Sequence, residues 1–301
     1  MSDILGVGDA GVDLMVAVPT FAGHDEKVVG TLLGQFGGGM VANFCCSAAR
    51  LGADVALASV VGDDAFGDFV RVNLQRHGVS IEQIVTRPAG RTFFCVVQLD
   101  ESGEKALTVA RTDCVYPSPA EVSAVQIASA RLVHITAGDL ELAEWVVGIA
   151  ERNGVQISLD IDSGVQPDGR LQLLKIIGRA DLVSMNRTGY ASLAWSDVAD
   201  DPGLLNSLGA RWAVVTLGKD GALAADASRL ERVPSPAVEA VDTTGAGDCF
   251  AAALVVAYLG GNNLGAALRY ATAAGALSVR GLGGHSAAPT HEEISALLAN
   301  G

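Results

Sequence analysis

The sequence predicts an α/β fold of three layers, with a mostly parallel central sheet between helices and a small β-sheet lid outside it. Three observations point there. Apolar, strand-like segments at 132–136, 156–160 and 182–185 alternate with helical stretches near 143–152 and 171–178, the pattern of a parallel sheet covered on both faces. Half of the 301 residues are hydrophobic, ample core for such a sheet, and the whole chain, 1–301, is expected to be one domain. Four further extended segments, 13–18, 28–36, 91–98 and 105–110, would displace the covering helices if they joined the same sheet. They are expected to pair among themselves, so the lid is drawn from about 13–36 and 91–110.

Taken in order, residues 4–8 read as a short buried strand. Gly6-Val7-Gly8-Asp9-Ala10-Gly11 spells GxGxxG, but a dinucleotide fingerprint needs a helix opening at its glycines. Residues 12–19 are instead Val-rich and end in Pro19, so extended chain follows. Asp13 then stands at a strand end, facing a ligand. After 28–36, Gly37-Gly38-Gly39 leads into a helix of small residues at 41–51. Glycines at a helix start let a ligand approach the backbone, and Asn43 can both donate to and accept from hydroxyls. Residues 54–61 form a strand, Gly62 to Gly67 a loop, and 68–77 a helix that stops at His77-Gly78 and runs into a strand at Val79. His77 is expected on the surface. Residues 91–98 and 105–110 form a hairpin with its turn at 100–104. Beyond the alternating centre, 212–217 is a strand and Gly218-Lys219-Asp220-Gly221 an open turn. Asn262 or Asn263 caps a helix that runs to about Ser278. Gly281-Leu282-Gly283-Gly284 is a loop, and 292–298 a last helix.

Composition removes several classes of function. A net charge of −14 argues against a nucleic-acid partner, which demands Lys/Arg surfaces. The five cysteines, Cys45, Cys46, Cys95, Cys114 and Cys249, show no CxxC pair and no zinc spacing, so they read as buried thiols of a reducing, cytoplasmic setting. The start, MSDILGVGD, has no signal-peptide character, and the longest apolar run, 251–259, is too short to span a bilayer.

The chemistry concentrates at 241–250, VDTTGAGDCF. A polar turn enters Gly245-Ala246-Gly247, followed by Asp248 and an apolar helical run. A helix start offers unpaired N–H groups and a positive dipole end, and glycines open it to an anion. A carboxylate beside such an anion repels it unless it has a task, and accepting a proton from an attacking hydroxyl is one. The same residues also suit a plain helix cap with a glycine turn.

DTTGAGD closely resembles the C-terminal signature of the PfkB, or ribokinase-like, carbohydrate kinases, and the likeness covers nearly the whole chain. Gly38-Gly39-x-x-x-Asn43 matches the family's GGxxxN, Gly62 to Gly67 resembles its GxDxxG segment, and TLGKDG resembles its nucleotide-contacting strand-turn. The resemblance implies a ribokinase-like fold and an ATP- and Mg2+-dependent kinase acting on a hydroxyl of a small sugar or sugar derivative. Asp248 would be the general base, and the amides of Gly245, Ala246 and Gly247 the anion hole. Asp13, Gly38, Gly39 and Asn43 would hold the acceptor. Asn186, Thr216, Gly218, Lys219, Gly221, Thr272 and Ala274 would meet the nucleotide. Backbone oxygens near Asp242, Thr244, Ser278, Gly281 and Gly283 would hold a monovalent cation such as K+, as in some relatives. The implied partners are the sugar and ATP, with neither nucleic acid nor membrane. A second copy of the chain would pair through the lid, whose apolar residues include Phe93, Phe94, Val96 and Leu107.

Two departures stand out. The family's Asn-x-x-Glu reads Asn186-Arg187-Thr188-Gly189, without the Glu. The acidic sugar ligand found in some relatives after 132–136 is absent from Thr136-Ala137-Gly138-Asp139. Both suggest an acceptor other than plain ribose. A nucleoside kinase of the same superfamily would need aromatic residues against a base, and only Phe36, Phe93 and Phe94 lie near the lid. A weakly catalytic sugar and nucleotide sensor is the other rival; the lost Glu favours it and Asp248 opposes it.

Overall fold

The chain, seen in a computed structural model that describes residues 2–101, 105–162, 169–194, 198 and 202–299, starts with β1 (Ile4–Val7). β2 (Gly11–Ala17) and β3 (Thr31–Gly38) follow, then α1 (Met40–Arg50), β4 (Val55–Gly62), α2 (Ala65–Arg76) and β5 (Ile84–Arg87). β6 (Phe94–Leu99) and β7 (Lys105–Ala110) precede α3 (Ala124–Ser129), β8 (Leu132–Thr136) and α4 (Leu140–Arg152). Next come β9 (Gln156–Ile161), α5 (Arg170–Ile177), β10 (Leu182–Asn186), α6 (Arg187–Ala194), α7 (Leu204–Ser207) and β11 (Trp212–Thr216). β12 (Ala222–Ala225) and β13 (Leu230–Val233) form a hairpin before α8 (Ala246–Leu259), α9 (Leu264–Ser278) and α10 (His291–Ala299).

Nine strands form the main sheet in the order β13-β12-β11-β10-β9-β8-β1-β4-β5, and only β12 runs against the rest, since β13 is antiparallel to β12 and so returns to the common direction. The central strands are continuous apolar runs, buried throughout β4 and β8, because helices cover both faces. One buried cluster joins the sheet to α1, α8 and α9; another joins its opposite face to α4, α5 and α6. α8 is apolar nearly all round and lies between α1 and α9, so it is a core helix. β1 pairs with β4 on one side and β8 on the other. The strand order therefore reverses at β1, and a crevice opens beyond the carboxyl ends of β1, β8, β9, β10 and β11.

β2, β3, β6 and β7 leave this sheet, as expected, and form a second one in the order β3-β2-β6-β7. Its small core is Met15, Phe93, Cys95 and Val97. The hairpin pairs Leu99 with Lys105, and the expected turn lies partly outside the described residues. The strand expected at Val79 gives only an isolated bridge from Ser80 to Ala56, and β5 itself starts at Ile84; sequence reading missed α3, α6, α7 and the β12–β13 hairpin. The hairpin is Ala-rich or Arg/Glu-bearing, and the missed helices are short, so neither carries strong periodicity. α2 starts three residues earlier than the expected 68, because Asp64 accepts the Gly67 N–H as its cap. No helix among the described residues is long and apolar enough to cross a membrane.

Candidate active site

The crevice holds two cavities. The first, about 720 Å³, lies between the main sheet and the lid. Asp9 and Asp13 enter it from the loop after β1 and from β2, Asp160 and Asp162 from the end of β9, and Asp248 from the first turn of α8. Lys105, Leu107, Val109 and Arg111 enter from β7 and its continuation; alternate residues share one face of a strand, so this face of the lid is turned to the cavity. Lys105 Nζ also donates to Thr244 Oγ1 at 3.2 Å, which joins the lid to the loop ahead of α8.

The first glycine turn is built around two carboxylates. Gly39 caps α1 with φ 99°, a left-handed conformation that a side chain would strain. Its missing donor pairs are met from outside: Asp9 accepts from the N–H groups of Met40 at 2.9 Å and Val41 at 3.1 Å. Gly38 packs against the Asp13 carboxylate, where a Cβ would lie 2.5 Å from Oδ1. Of the two glycines expected at the acceptor, Gly39 lines the cavity and Gly38 does not; Gly38 makes room for Asp13 instead. Burial pushes the Asp13 carboxyl up to about 6.

Asp248 is held from the same helix. Asn43 Nδ2 donates to Asp248 Oδ2 at 2.9 Å, and Asn43 Oδ1 meets His285 Nδ1 at 2.7 Å. Burial, then the nearby Asp160, raises the Asp248 carboxyl well above the ordinary range, while the Asn43 bond opposes the rise. Asp160 is itself pushed up to about 7 by burial, against the Ser184 hydroxyl that donates to it at 2.5 Å. α8 begins after Gly245, whose φ of 73° and contact with the Gly284 carbonyl leave no room for a side chain.

The second cavity runs along α9 behind this helix start. Gly218, Lys219 and Gly221 line it from the turn after β11, and Thr272, Gly275, Ala276 and Val279 from α9. Asn186, Thr216, Thr243 and Gly247 line both cavities, so the start of α8 is the wall between them. Gly247 is exposed there, and nothing lies within 4 Å of where its Cβ would be. Ala274 is a correction. It is fully buried, its carbonyl accepts the Cys249 thiol, and it faces the core. Thr272, Gly275, Ala276 and Val279 follow the helical period along one face, and 274 falls off it. Arg187 also lines this cavity and is paired with Asp220 at 3.2 Å.

Asp242 Oδ1 accepts from the Thr244 N–H and hydroxyl, and its Oδ2 accepts from the Gly283 N–H at 2.9 Å. That carboxylate brings together two of the segments expected around a monovalent cation. The Ser278 hydroxyl turns back to the Gly275 carbonyl. Sequence reading missed Asp9, Asp160 and Asp162, although the polar pair in the run LDID at the end of a buried strand was the available signal. It also misplaced His77, which is half-buried with its ring against His285. Phe94 begins β6 of the lid and packs edge-on against Phe66 of α2, so it faces the main body.

Three relatives frame this geometry. The chain is 31% identical to a ribokinase of Bacillus subtilis, over 99% of this chain and 100% of that one. It is 31% identical to an ATP-dependent ribose-1-phosphate kinase of Halopiger xanaduensis, over 99% and 98%. A solved ribokinase of Arabidopsis thaliana complexed with ribose and ATP superimposes with a TM-score of 0.83 at 24% identity, covering 99% of this chain and 98% of that one. The family model described as pfkB family carbohydrate kinase matches residues 1–291. The chain belongs to that family of carbohydrate kinases.

Proposed function

We propose that this carbohydrate kinase transfers the γ-phosphoryl group of ATP to a hydroxyl of a small sugar or sugar derivative, with Asp248 as general base. The observation that carries the reading is the placement of Asp248 one residue after Gly247, at the wall shared by the two cavities. The sugar occupies the cavity under the lid, with Asp13, Gly39 and Asn43 toward its hydroxyls. ATP lies along α9, with Thr216, Gly218, Lys219, Gly221 and Thr272 beside it. Its γ-phosphoryl group reaches the N–H groups at Gly245 and Gly247, which face the charge that develops in transfer, and the Ala246 N–H, which donates to the Thr243 carbonyl at 3.4 Å, turns to join them. Asp248, raised by burial, takes the hydroxyl proton as the oxygen attacks.

Mg2+ is bound with ATP in this chemistry and neutralises phosphate charge. The oxygen donors at the junction suit a hard cation. Asp162 is exposed there and is held by Asn186, so it stands in place of the Glu absent from the motif. A monovalent cation among the carbonyls of Asp242, Thr244, Ser278, Gly281 and Gly283 belongs to the same proposal, as do a cytoplasmic setting and a dimer through the lid. Replacing K+ by a bulky organic cation at constant ionic strength tests the first of these.

The acceptor is open to experiment. Lys105 and Arg111 oppose the carboxylates, so anionic sugars belong beside neutral ones in the test. ADP release is measured over pentoses, hexoses, ribose 1-phosphate, sugar acids, sulfosugars and nucleosides. Turnover of one sugar class supports the reading. Nucleoside turnover alone moves the protein to the rival kinase class, and binding without turnover makes it a sensor.

A further inference from the structure

Behind Asn43, the helices α1 and α2 and the loop before α10 bring together donor atoms that phosphoryl transfer does not use. Cys46 lies on α1 one turn after Asn43, His77 ends α2, and His285 follows the glycine loop. The Cys46 sulfur and one ring nitrogen of each histidine lie within 4.8 Å of one another. Cys46 and His285 are buried, and His77 is partly open to solvent. The two rings meet edge to face, 4.6 Å between centroids.

The hydrogen bonds fix where the lone pairs are. His77 Nδ1 stands 2.8 Å from the Asn73 backbone carbonyl, which only accepts, so Nδ1 carries the hydrogen. Asn43 spends its N–H on Asp248 and turns Oδ1 to His285 Nδ1, so that nitrogen is also a donor. Each ring is thus left with its Nε2 lone pair. Burial and the neighbouring His77 hold His285 neutral, down to about 3. His285 Nε2 faces Asn73 Oδ1 at 2.8 Å, so two acceptors confront each other in this amide orientation. The Cys46 thiol is in no disulfide and has no hydrogen-bond partner among the described residues.

A ring held through Nδ1–H by an oxygen, with Nε2 free, is the form in which histidine ligates metal. One sulfur, two imidazole nitrogens and one amide oxygen are an N/S-rich set of four, suited to Zn2+ and poorly suited to Mg2+. Zn–S bonds of about 2.3 Å and Zn–N bonds of about 2.0 Å place tetrahedral ligand atoms roughly 3.5 Å apart, so the cluster must contract by about 1 Å. His77, the one of the three partly open to solvent, is the ligand that would move, and its side leaves a path for the ion.

We propose that Cys46, His77 and His285, with Asn73 as fourth donor, form a Zn2+ site. Binding releases the thiol proton to solvent and leaves both histidines neutral. Because His285 reaches Asp248 through Asn43, occupancy also acts on the active site: a metal drawing on Nε2 tightens the Nδ1–H bond to Asn43 and weakens Asp248 as a base.

The test uses the full chain, stripped with a chelator and dialysed against Zn2+ alone. One bound Zn2+ at micromolar free metal is expected, with a rise in melting temperature. Co2+ in its place should give a sulfur-to-cobalt absorption band. Cys46→Ser should abolish the band, and Cys46→Ser and His77→Gln should each weaken Zn2+ at least ~10-fold. Both variants are first checked for wild-type melting without metal, and if Cys46→Ser melts early, His77→Gln alone carries the comparison. Binding that is absent, or unchanged in the variants, overturns the site and leaves the Asn73 amide turned to donate to His285. Zinc loading should lower kcat in the wild type and not in His77→Gln. An unchanged kcat in the loaded enzyme overturns the link to Asp248 while the site stands.

Discussion

The Asn186 amide donates to the Asp162 carboxylate at 2.5 Å and accepts from the Gly189 N–H at 2.7 Å, so one side chain ties the end of β9 to the first turn of α6. This pair stands at the junction of the two cavities, where the expected Glu is missing. If Asp162 holds the phosphate-bound cation, Asp162→Asn should shift the Mg2+ dependence of ADP release to higher concentration. Metal-free nucleotide affinity should stay near wild type. An unshifted Mg2+ titration assigns the metal to phosphate and water alone.

Asp248→Asn keeps the size and the hydrogen bond to Asn43 but removes the basic carboxylate. It should lower kcat by at least ~10²-fold, the low end for acid–base catalysis, with nucleotide affinity little changed. Because burial raises this carboxyl, the wild-type rate should climb with pH through a limb above the ordinary carboxylate range. Near-wild-type kcat in the variant would sink the assignment.

Asp13 gives a stability test with a definite sign. Its carboxyl titrates at about 6 in the fold against 3.8 in the unfolded chain. The folded state therefore holds the proton longer, and stability falls as pH rises from about 4 to about 6, by up to ~3 kcal/mol at ~1.4 kcal/mol per pH unit. Asp13→Asn never ionises. Its melting temperature relative to wild type should rise across that window and stay level above it. A difference that is flat with pH would remove burial as the cause. Sugar binding should weaken in the same variant by ~1–3 kcal/mol, with ATP binding untouched.

The sheet, the lid and the anion loop were legible because each carries a local signal: buried apolar runs, a turn, or glycines ahead of a helix. Asn43 and Asp248 were legible one by one, but not their bond across 205 residues of chain. Asp160 and Asp162 look like strand-end polar residues until β9 is placed beside β10. His77 was misread because its partner, His285, comes from a loop more than two hundred residues away. Ala274 was misassigned because a single alanine in an apolar helix gives no phase.

The apolar residues of the lid separate by face. Phe94 sits against Phe66, so Phe94→Asp should damage the fold itself, by burying a charge beside a ring. Leu107 and Val109 are about half exposed, and they face the acceptor cavity. The apolar surface left over lies on and beside the edge strand β3, where Leu32 is 66% exposed and Val29 is 79% exposed. An unpaired edge with exposed apolar residues is a ready pairing surface. Two copies related by a two-fold axis, the commonest symmetry, would cover both edges at once. Leu32→Asp should then convert a dimer to a monomer in light scattering while melting and kcat at saturating sugar stay close to wild type. Phe94→Asp should lower the melting temperature whatever the assembly. A wild type that is strictly monomeric at micromolar concentration defeats the dimer. The lid then closes over its own sugar alone, and Lys105→Ala, which cuts the contact to Thr244, should raise ATP hydrolysis without sugar as water reaches the γ-phosphate.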